Sequence, residues 1–118
     1  MRTRTIIAAI TLAAATAFGT GIATTPEEVV SKVWAASRFL NEKGASGFAA
    51  FNSKDGPWVW KDSYVFVYDC RLDRMVAHPM RPDLVGRPLM QTTDNNGKLL
   101  FKELCKAGEA THGGWVAH

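Results

Sequence analysis

The sequence predicts an α+β fold, and three observations carry that prediction. Thr25-Pro26-Glu27-Glu28 opens a helix whose apolar residues recur at Val29, Val30, Val33, Trp34 and Leu40, the spacing of one helical face. The run Tyr64-Val65-Phe66-Val67-Tyr68-Asp69-Cys70 is β-branched and aromatic; after the charged turn Arg71-Leu72-Asp73-Arg74, the chain returns through Met75-Val76-Ala77-His78-Pro79, the pattern of a hairpin with a buried first strand. Further on, Leu100, Phe101, Leu104 and Cys105 share one face of a second helix that begins near Lys98.

Each element has local causes. Thr25 is placed to cap the first helix and Pro26 to fill its first position. Two acids face the positive end of the helix dipole, and Glu28, three residues after the cap, completes a capping box. The helix is expected over residues 26–42. Gly44 and Gly47 interrupt its periodicity, residues 45–51 have room for one or two more turns, and the polar run 52–57 is a loop by turn chemistry. Trp58-Val59-Trp60 puts both indoles on one face of an extended segment, where they either cap the core or wall a pocket. Pro79 ends the return strand, because it has no N–H for a ladder. Met80-Arg81-Pro82-Asp83 and Gly86-Arg87-Pro88-Leu89 make a loop whose two prolines exclude regular helix. Gly108 closes the second helix, and Gly113-Gly114 is expected to open a last strand at Trp115-Val116.

At 118 residues the chain holds one domain at most, with the composition of a globular protein. Its net charge of +3 depends on Arg2 and Arg4, which precede an apolar run; without them 12 basic residues face 11 acidic ones. No Lys/Arg cluster interleaved with aromatics remains, so no nucleic-acid partner is expected. The basic start, the apolar run from Ile6 to about Ala15, and the small residues at Ala15-Thr16-Ala17 and Gly21-Ile22-Ala23 have the layout of a secretory signal peptide. That run is shorter than the roughly 20 residues that span a bilayer. Residues 1–23 are therefore expected to be a leader removed after Ala23, with an uncleaved anchor as the alternative, and 24–118 to be one periplasmic or secreted domain. In an oxidising compartment Cys70 and Cys105 are expected to form a disulfide. Two buried thiols or a metal pair are the competing readings, but the C-x-x-C pairs of a zinc site are missing.

A family resemblance rests on an ordered set of pieces: Tyr64-Val65-Phe66-Val67-Tyr68-Asp69, a polar turn, Ala77-His78-Pro79, Leu84-Val85-Gly86-Arg87-Pro88-Leu89, Asp94 with Gly97, and Gly113-Gly114-Trp115-Val116. The set resembles the single Cache domain of type 2, an extracytoplasmic sensor module. The resemblance implies a Cache/PAS-like architecture in which the long N-terminal helix lies along an antiparallel sheet. It also places His78 on the pocket side and packs the segment after the His-Pro dipeptide over the ligand site. Members of the family continue past the Gly-Trp-Val strand, so the resemblance implies a sheet with its last strands missing and an unpaired edge, a template for another chain.

On that resemblance the expected function is sensing of a small molecule, a short organic acid, for signal transduction or chemotaxis. The candidate ligand-binding residues are Trp60, Tyr64, Phe66, Tyr68, Arg74, His78, Met80 and Arg81. The aromatics alternate onto one face of the hairpin and offer an apolar wall with hydroxyl and indole donors. His78, if protonated, and one of Arg74 or Arg81 would meet the two carboxylate oxygens. The plainer reading makes His78 a core residue and both arginines solvated turn charges. Residues 92–103 match several positions of an EF-hand calcium loop, but Thr92 stands where the first acidic ligand belongs, so Gly97 is expected to take a positive φ and Asp94 to cap the turn. His112 and His118 lack a third metal partner at useful spacing. Ser63 has no nucleophile-elbow setting, and no acid and base pair of carboxylates stands out, so neither enzyme activity nor a cofactor is expected. A separate membrane receptor or kinase would carry the signal, and homo-oligomers could form through the open edge. The alternative from another class is a secreted structural or interaction protein that has no ligand and pairs through that edge.

Overall fold

The computed structural model describes the backbone of residues 5–10, and residues 23–117 in full. Among the described residues, four strands make one antiparallel sheet: β1 (Thr5–Ile10), β2 (Val59–Trp60), β3 (Ser63–Asp69) and β4 (Arg74–Ala77). Two α-helices, α1 (Pro26–Lys43) and α2 (Leu100–Gly108), and two 3-10 segments, Gly44–Asn52 and Pro82–Leu84, complete the chain. β3 is the centre of the sheet. β1 runs along one of its edges, from Thr5 opposite Tyr68 to Ile10 opposite Ser63. β2 and β4 share the other edge, β2 beside Ser63 and Tyr64 and β4 beside Val67 to Asp69.

The alternation of β3 sorts the core into two halves. Val65 and Val67 face α1 and pack with Ala36, Leu40, Phe51, Trp58 and Ala77. Phe66 and Tyr68 face the opposite way and pack with Met75, Leu89 and Cys105. Val65, Val67 and Tyr68 are fully buried, and each large side chain taken out of water in this way contributes roughly 1.5–3 kcal/mol. On the α1 side, Phe51 stacks on Trp58 at 5.1 Å, and Phe39 leans on both. α1 starts as its sequence requires: Thr25 Oγ1 accepts from the Glu28 N–H at 3.2 Å, and Glu28 Oε1 accepts from the Thr25 N–H at 3.1 Å. It ends at Gly44, whose φ of +59° suits a residue without a Cβ. The long helix therefore lies along an antiparallel sheet, as expected.

Side-chain caps and a left-handed residue make the β3–β4 turn. Asp69 Oδ1 accepts from the N–H groups of Arg71 and Leu72, both at 3.0 Å, and Asp73 turns the chain with φ +54°, a conformation Asp tolerates better than most residues. Beyond β4 the chain folds back on that strand's outer edge. Met75 N–H donates to Arg87 O at 3.0 Å, and Met75 O accepts from Gly86 N–H at 2.8 Å, with Gly86 at φ +90°.

One expectation meets a different structure. No strand forms at Trp115-Val116 and Trp115 is exposed; both edges of β3 are already taken, by β1 on one side and by β2 and β4 on the other. Of the expected leader, only the backbone of residues 5–10 and Ala23 are described. The former is strand β1, since a Thr-Ile-Ile run is as competent for extended structure as for an apolar helix. The expected cleavage point sits at the margin of the described residues; the rest of the leader, and His118, lie outside them.

Candidate ligand site

A β-bulge in β4 decides where His78 points. Strict alternation would set Met75 and Ala77 on one face and send His78 to the other. The pairing instead slips between Val67 and Tyr68, so Met75 lies opposite Tyr68 while Ala77 lies opposite Val67. One extra residue turns the strand over, and His78 emerges on the Tyr64 and Phe66 side. Its ring stacks on Phe66 at 5.4 Å with 8° between planes and meets Tyr64 at 5.0 Å. Its backbone N–H donates to Asn52 Oδ1 at 2.9 Å, which ties the end of β4 to the first 3-10 segment.

The protonation state of His78 follows from its contacts. Nδ1 accepts from the backbone N–H groups of Arg81 at 2.8 Å and Met80 at 3.2 Å, so the neutral ring carries its proton on Nε2. Burial, reinforced by the Arg81 charge, lowers the His78 pKa to about 4. The cationic imidazole expected for holding an acid is thus replaced by a neutral ring that donates through Nε2–H. The same bonds wind the chain tightly after Pro79 and hold the Met80-Arg81 backbone against the ring.

Around this histidine the structure gathers some of the expected residues. Tyr64 is half-buried, and burial raises its hydroxyl pKa while the nearby Arg81 charge opposes the rise. Arg81 is exposed and grips Asp83 side-on, Nε to Oδ1 at 3.0 Å and Nη2 to Oδ2 at 2.8 Å; this pairing raises the arginine pKa and lowers that of the aspartate. The Met80 side chain is exposed at the rim. Phe101 of α2 closes the aromatic floor, 5.7 Å from Phe66 and 5.0 Å from Tyr68. The expected Cys70–Cys105 disulfide, with Cα atoms 5.9 Å apart, fastens α2 to the end of β3 and so holds Phe101 in place.

Of the other expected site residues, two lie elsewhere and one is engaged in a structural hydrogen-bond network. Trp60 lies opposite Ser63 in the β2–β3 pair and packs against the α1-side core, so it belongs to the face away from His78. The indole N–H groups of Trp58 and Trp60 are buried without an acceptor, and Lys32 Nζ sits 5.3 Å from the Trp60 ring centre. Tyr68 shares the His78 face, but its hydroxyl is spent: it donates to Asp73 and accepts from the Leu89 N–H at 2.8 Å, while Asp73 also takes the Met90 N–H at 3.1 Å. Arg74 is exposed and pairs with Asp69 at the far end of β3, five residues or about 16 Å from Tyr64. The loop around Asp94 has the expected turn: Asp94 Oδ1 accepts from the Asn96 and Lys98 N–H groups, and Gly97 has φ +81°.

Two members of the site escaped the sequence reading. Phe101 was visible as part of an apolar helical face, but nothing in that spacing tells which sheet face the helix covers. Asn52 sits in a run of turn-forming residues, and its contact with His78 spans 26 positions.

The architecture defines the class: a single α+β module in which one sheet face is given to a long helix and the other to aromatic rings under a loop. The model of the family described as single Cache domain 2 matches residues 16–118, and the chain belongs to that family, whose members are extracytoplasmic small-molecule sensor modules. No curated protein and no solved structure matches it. Among the described residues, no helix is long and apolar enough to cross a membrane.

Proposed function

We propose that this domain senses a short monocarboxylic acid of two to four carbons outside the cytoplasm and performs no chemistry on it. The observation that carries the reading is His78, a neutral Nε2–H donor packed on Tyr64 and Phe66, with Phe101 on the same aromatic face beside Phe66, and held by the backbone of Met80 and Arg81. A carboxylate would take one hydrogen bond from Nε2–H and one from the Tyr64 hydroxyl. The Nη1 end of Arg81, the part of the fork that Asp83 does not use, supplies the charge. The acyl chain would lie on Phe66 and Phe101. Trp60, Tyr68 and Arg74 take no part in this arrangement. Entry requires the Met80–Arg81 turn to lift, because His78 is only 4% exposed. That movement is what a separate receptor or kinase in a signalling or chemotaxis system would read.

A ligand of so few non-hydrogen atoms, each contributing at most about 1.5 kcal/mol, binds in the micromolar to millimolar range. Calorimetric titration with acetate, propionate, pyruvate and lactate is the test, with amines and sugars as controls. Binding of an acid that weakens at least tenfold in His78→Ala and little in Arg74→Ala is the expected result. If no acid binds, or if His78→Ala leaves the affinity unchanged, the reading fails.

A further inference from the structure

Arg81 comes to the His78 site with a carboxylate already on it. Asp83 takes Nε through Oδ1 at 3.0 Å and Nη2 through Oδ2 at 2.8 Å, so the side-on edge of the guanidinium is filled by the chain's own acid. The two residues belong to one short turn: Leu84 N–H donates to Arg81 O at 3.0 Å and Val85 N–H to Pro82 O at 3.1 Å. Leu84 packs against the cluster of Phe66, Tyr68 and Leu89, which fixes this turn beside the His78 face. An ion pair closed within a single turn moves with it, so a movement that admits a ligand leaves Asp83 on the guanidinium. Asp83 also acts on the site through its charge. After burial, the influences on His78 are Arg81, which disfavours its cation, and Asp83, which favours it. Arg87 is a further cation in range of Asp83, acting on it more weakly than Arg81 does.

We propose that Asp83 is the specificity-determining residue of this site, an inference that rests on the acid-sensing reading above: it admits singly charged acids and turns away dicarboxylates of the same length. The first carboxylate of a ligand meets the Nη1 end of Arg81, the part that Asp83 leaves open. A second carboxylate finds the rest of the fork occupied and is repelled by Asp83. The pair is more than half exposed, so its charges act through water. A unit charge about 6 Å from a ligand charge in such surroundings changes an affinity about threefold, and acting on two ligand charges about tenfold. Removing the Asp83 charge therefore helps every acid and helps a diacid more.

The test is an NMR titration at pH 7 with propionate beside malonate and butyrate beside succinate, pairs of equal length that differ in the second carboxylate. Four proteins are compared: the parent, Asp83→Asn, Asp83→Glu, which keeps the charge, and Glu42→Gln, which removes an equal charge from the last turn of α1. The parent should bind each monoacid more tightly than its diacid. Asp83→Asn should bind the monoacids about threefold and the diacids about tenfold more tightly, so that the preference narrows about threefold. That gain should shrink as salt is raised. Asp83→Glu and Glu42→Gln should keep the parent's preference. The amide spectrum away from residues 78–87 reports that the fold is unchanged in each variant. An unchanged preference in Asp83→Asn, or the same gain in Glu42→Gln, overturns the role of Asp83 and leaves the acid site standing. If none of the four proteins binds an acid, the site itself fails and the role of Asp83 falls with it.

Discussion

His78 shows how one side chain can hold a fold and a site together. Nδ1 is committed to two backbone donors, and the ring is shut against Phe66, so a second proton on it has to break both arrangements. In the unfolded chain the ring titrates near 6.5, whereas in the fold its pKa is about 4, so protonation favours unfolding. The contribution of His78 is fully present above about pH 6.5 and is lost as the pH falls toward 4. It amounts to something on the order of 3 kcal/mol. Urea unfolding at pH 7, 5.5 and 4.5 should show this loss on top of the ordinary carboxylate titration. His78→Asn, whose amide oxygen can stand in for Nδ1 but does not titrate, should be less stable at pH 7 and should lack that part of the pH slope. Equal slopes for the two proteins would show that the ring does not titrate as its surroundings require. Tyr68 is its counterpart on the structural side: its hydroxyl joins Asp73 of the turn to Leu89 of the loop, which is why it cannot also serve a ligand.

Among the elements, α2 is the one held least by secondary structure. It has nine residues, starts without a side-chain cap, and buries only Cys105 fully. The Cys70–Cys105 bridge spans 35 positions, and closing a loop of that length stabilises a fold by about 4 kcal/mol in the chain-entropy model. Replacing both cysteines by serine is expected to lower the urea midpoint accordingly and to weaken acid binding through loss of the Phe101 wall. Alkylation of the exported protein without reductant should label neither thiol. Two free thiols, or a double variant as stable as the parent, would show that packing alone secures the helix. The loop of residues 80–90 is bound more evenly, by the His78 ring at one end, the outer edge of β4 in the middle, and Tyr68 and Asp73 at the other.

On the scale of the whole molecule, Thr24 and the first turn of α1 are tied to the β2–β3 turn. Thr24 donates to Asp62 Oδ1 twice, from its backbone N–H at 3.0 Å and from its hydroxyl at 2.6 Å, and these bonds lower the Asp62 pKa. Next to them the Glu28–Lys61 ion pair joins the first turn of α1 to the β2–β3 turn. Cleavage after Ala23 would turn the Thr24 amide into an ammonium group at the same carboxylate, so processing would strengthen the anchor of the long helix. Intact-mass measurement of exported material should give a chain of residues 24–118. Asp62→Asn should then lower the melting temperature of that form more than it does the unprocessed chain. Recovery of a membrane-bound chain that keeps Arg2 and Arg4 would defeat this expectation.

What the sequence determined by itself is what a few neighbouring residues can settle. The Thr25–Glu28 capping box, the β-branched run of β3, the charged turn Arg71-Leu72-Asp73-Arg74, the Asp94 loop with Gly97 and the apolar spacing of both helices are short-range choices, each with its free energy inside one or two turns of chain. The family motif and the pairing of Cys70 with Cys105 were legible too, since two cysteines in an exported chain leave one bridge to make. The tertiary structure alone decided which face and which edge each of these elements serves. His78 reached the aromatic side because a bulge added one residue to β4. Trp60 went to the opposite core because β2 pairs Trp60 with Ser63, and Tyr68 gave its hydroxyl to residues 5 and 21 positions away. Face, edge and protonation state depend on partners that are distant in sequence, and a period-two strand reverses every side chain for a register change of one residue.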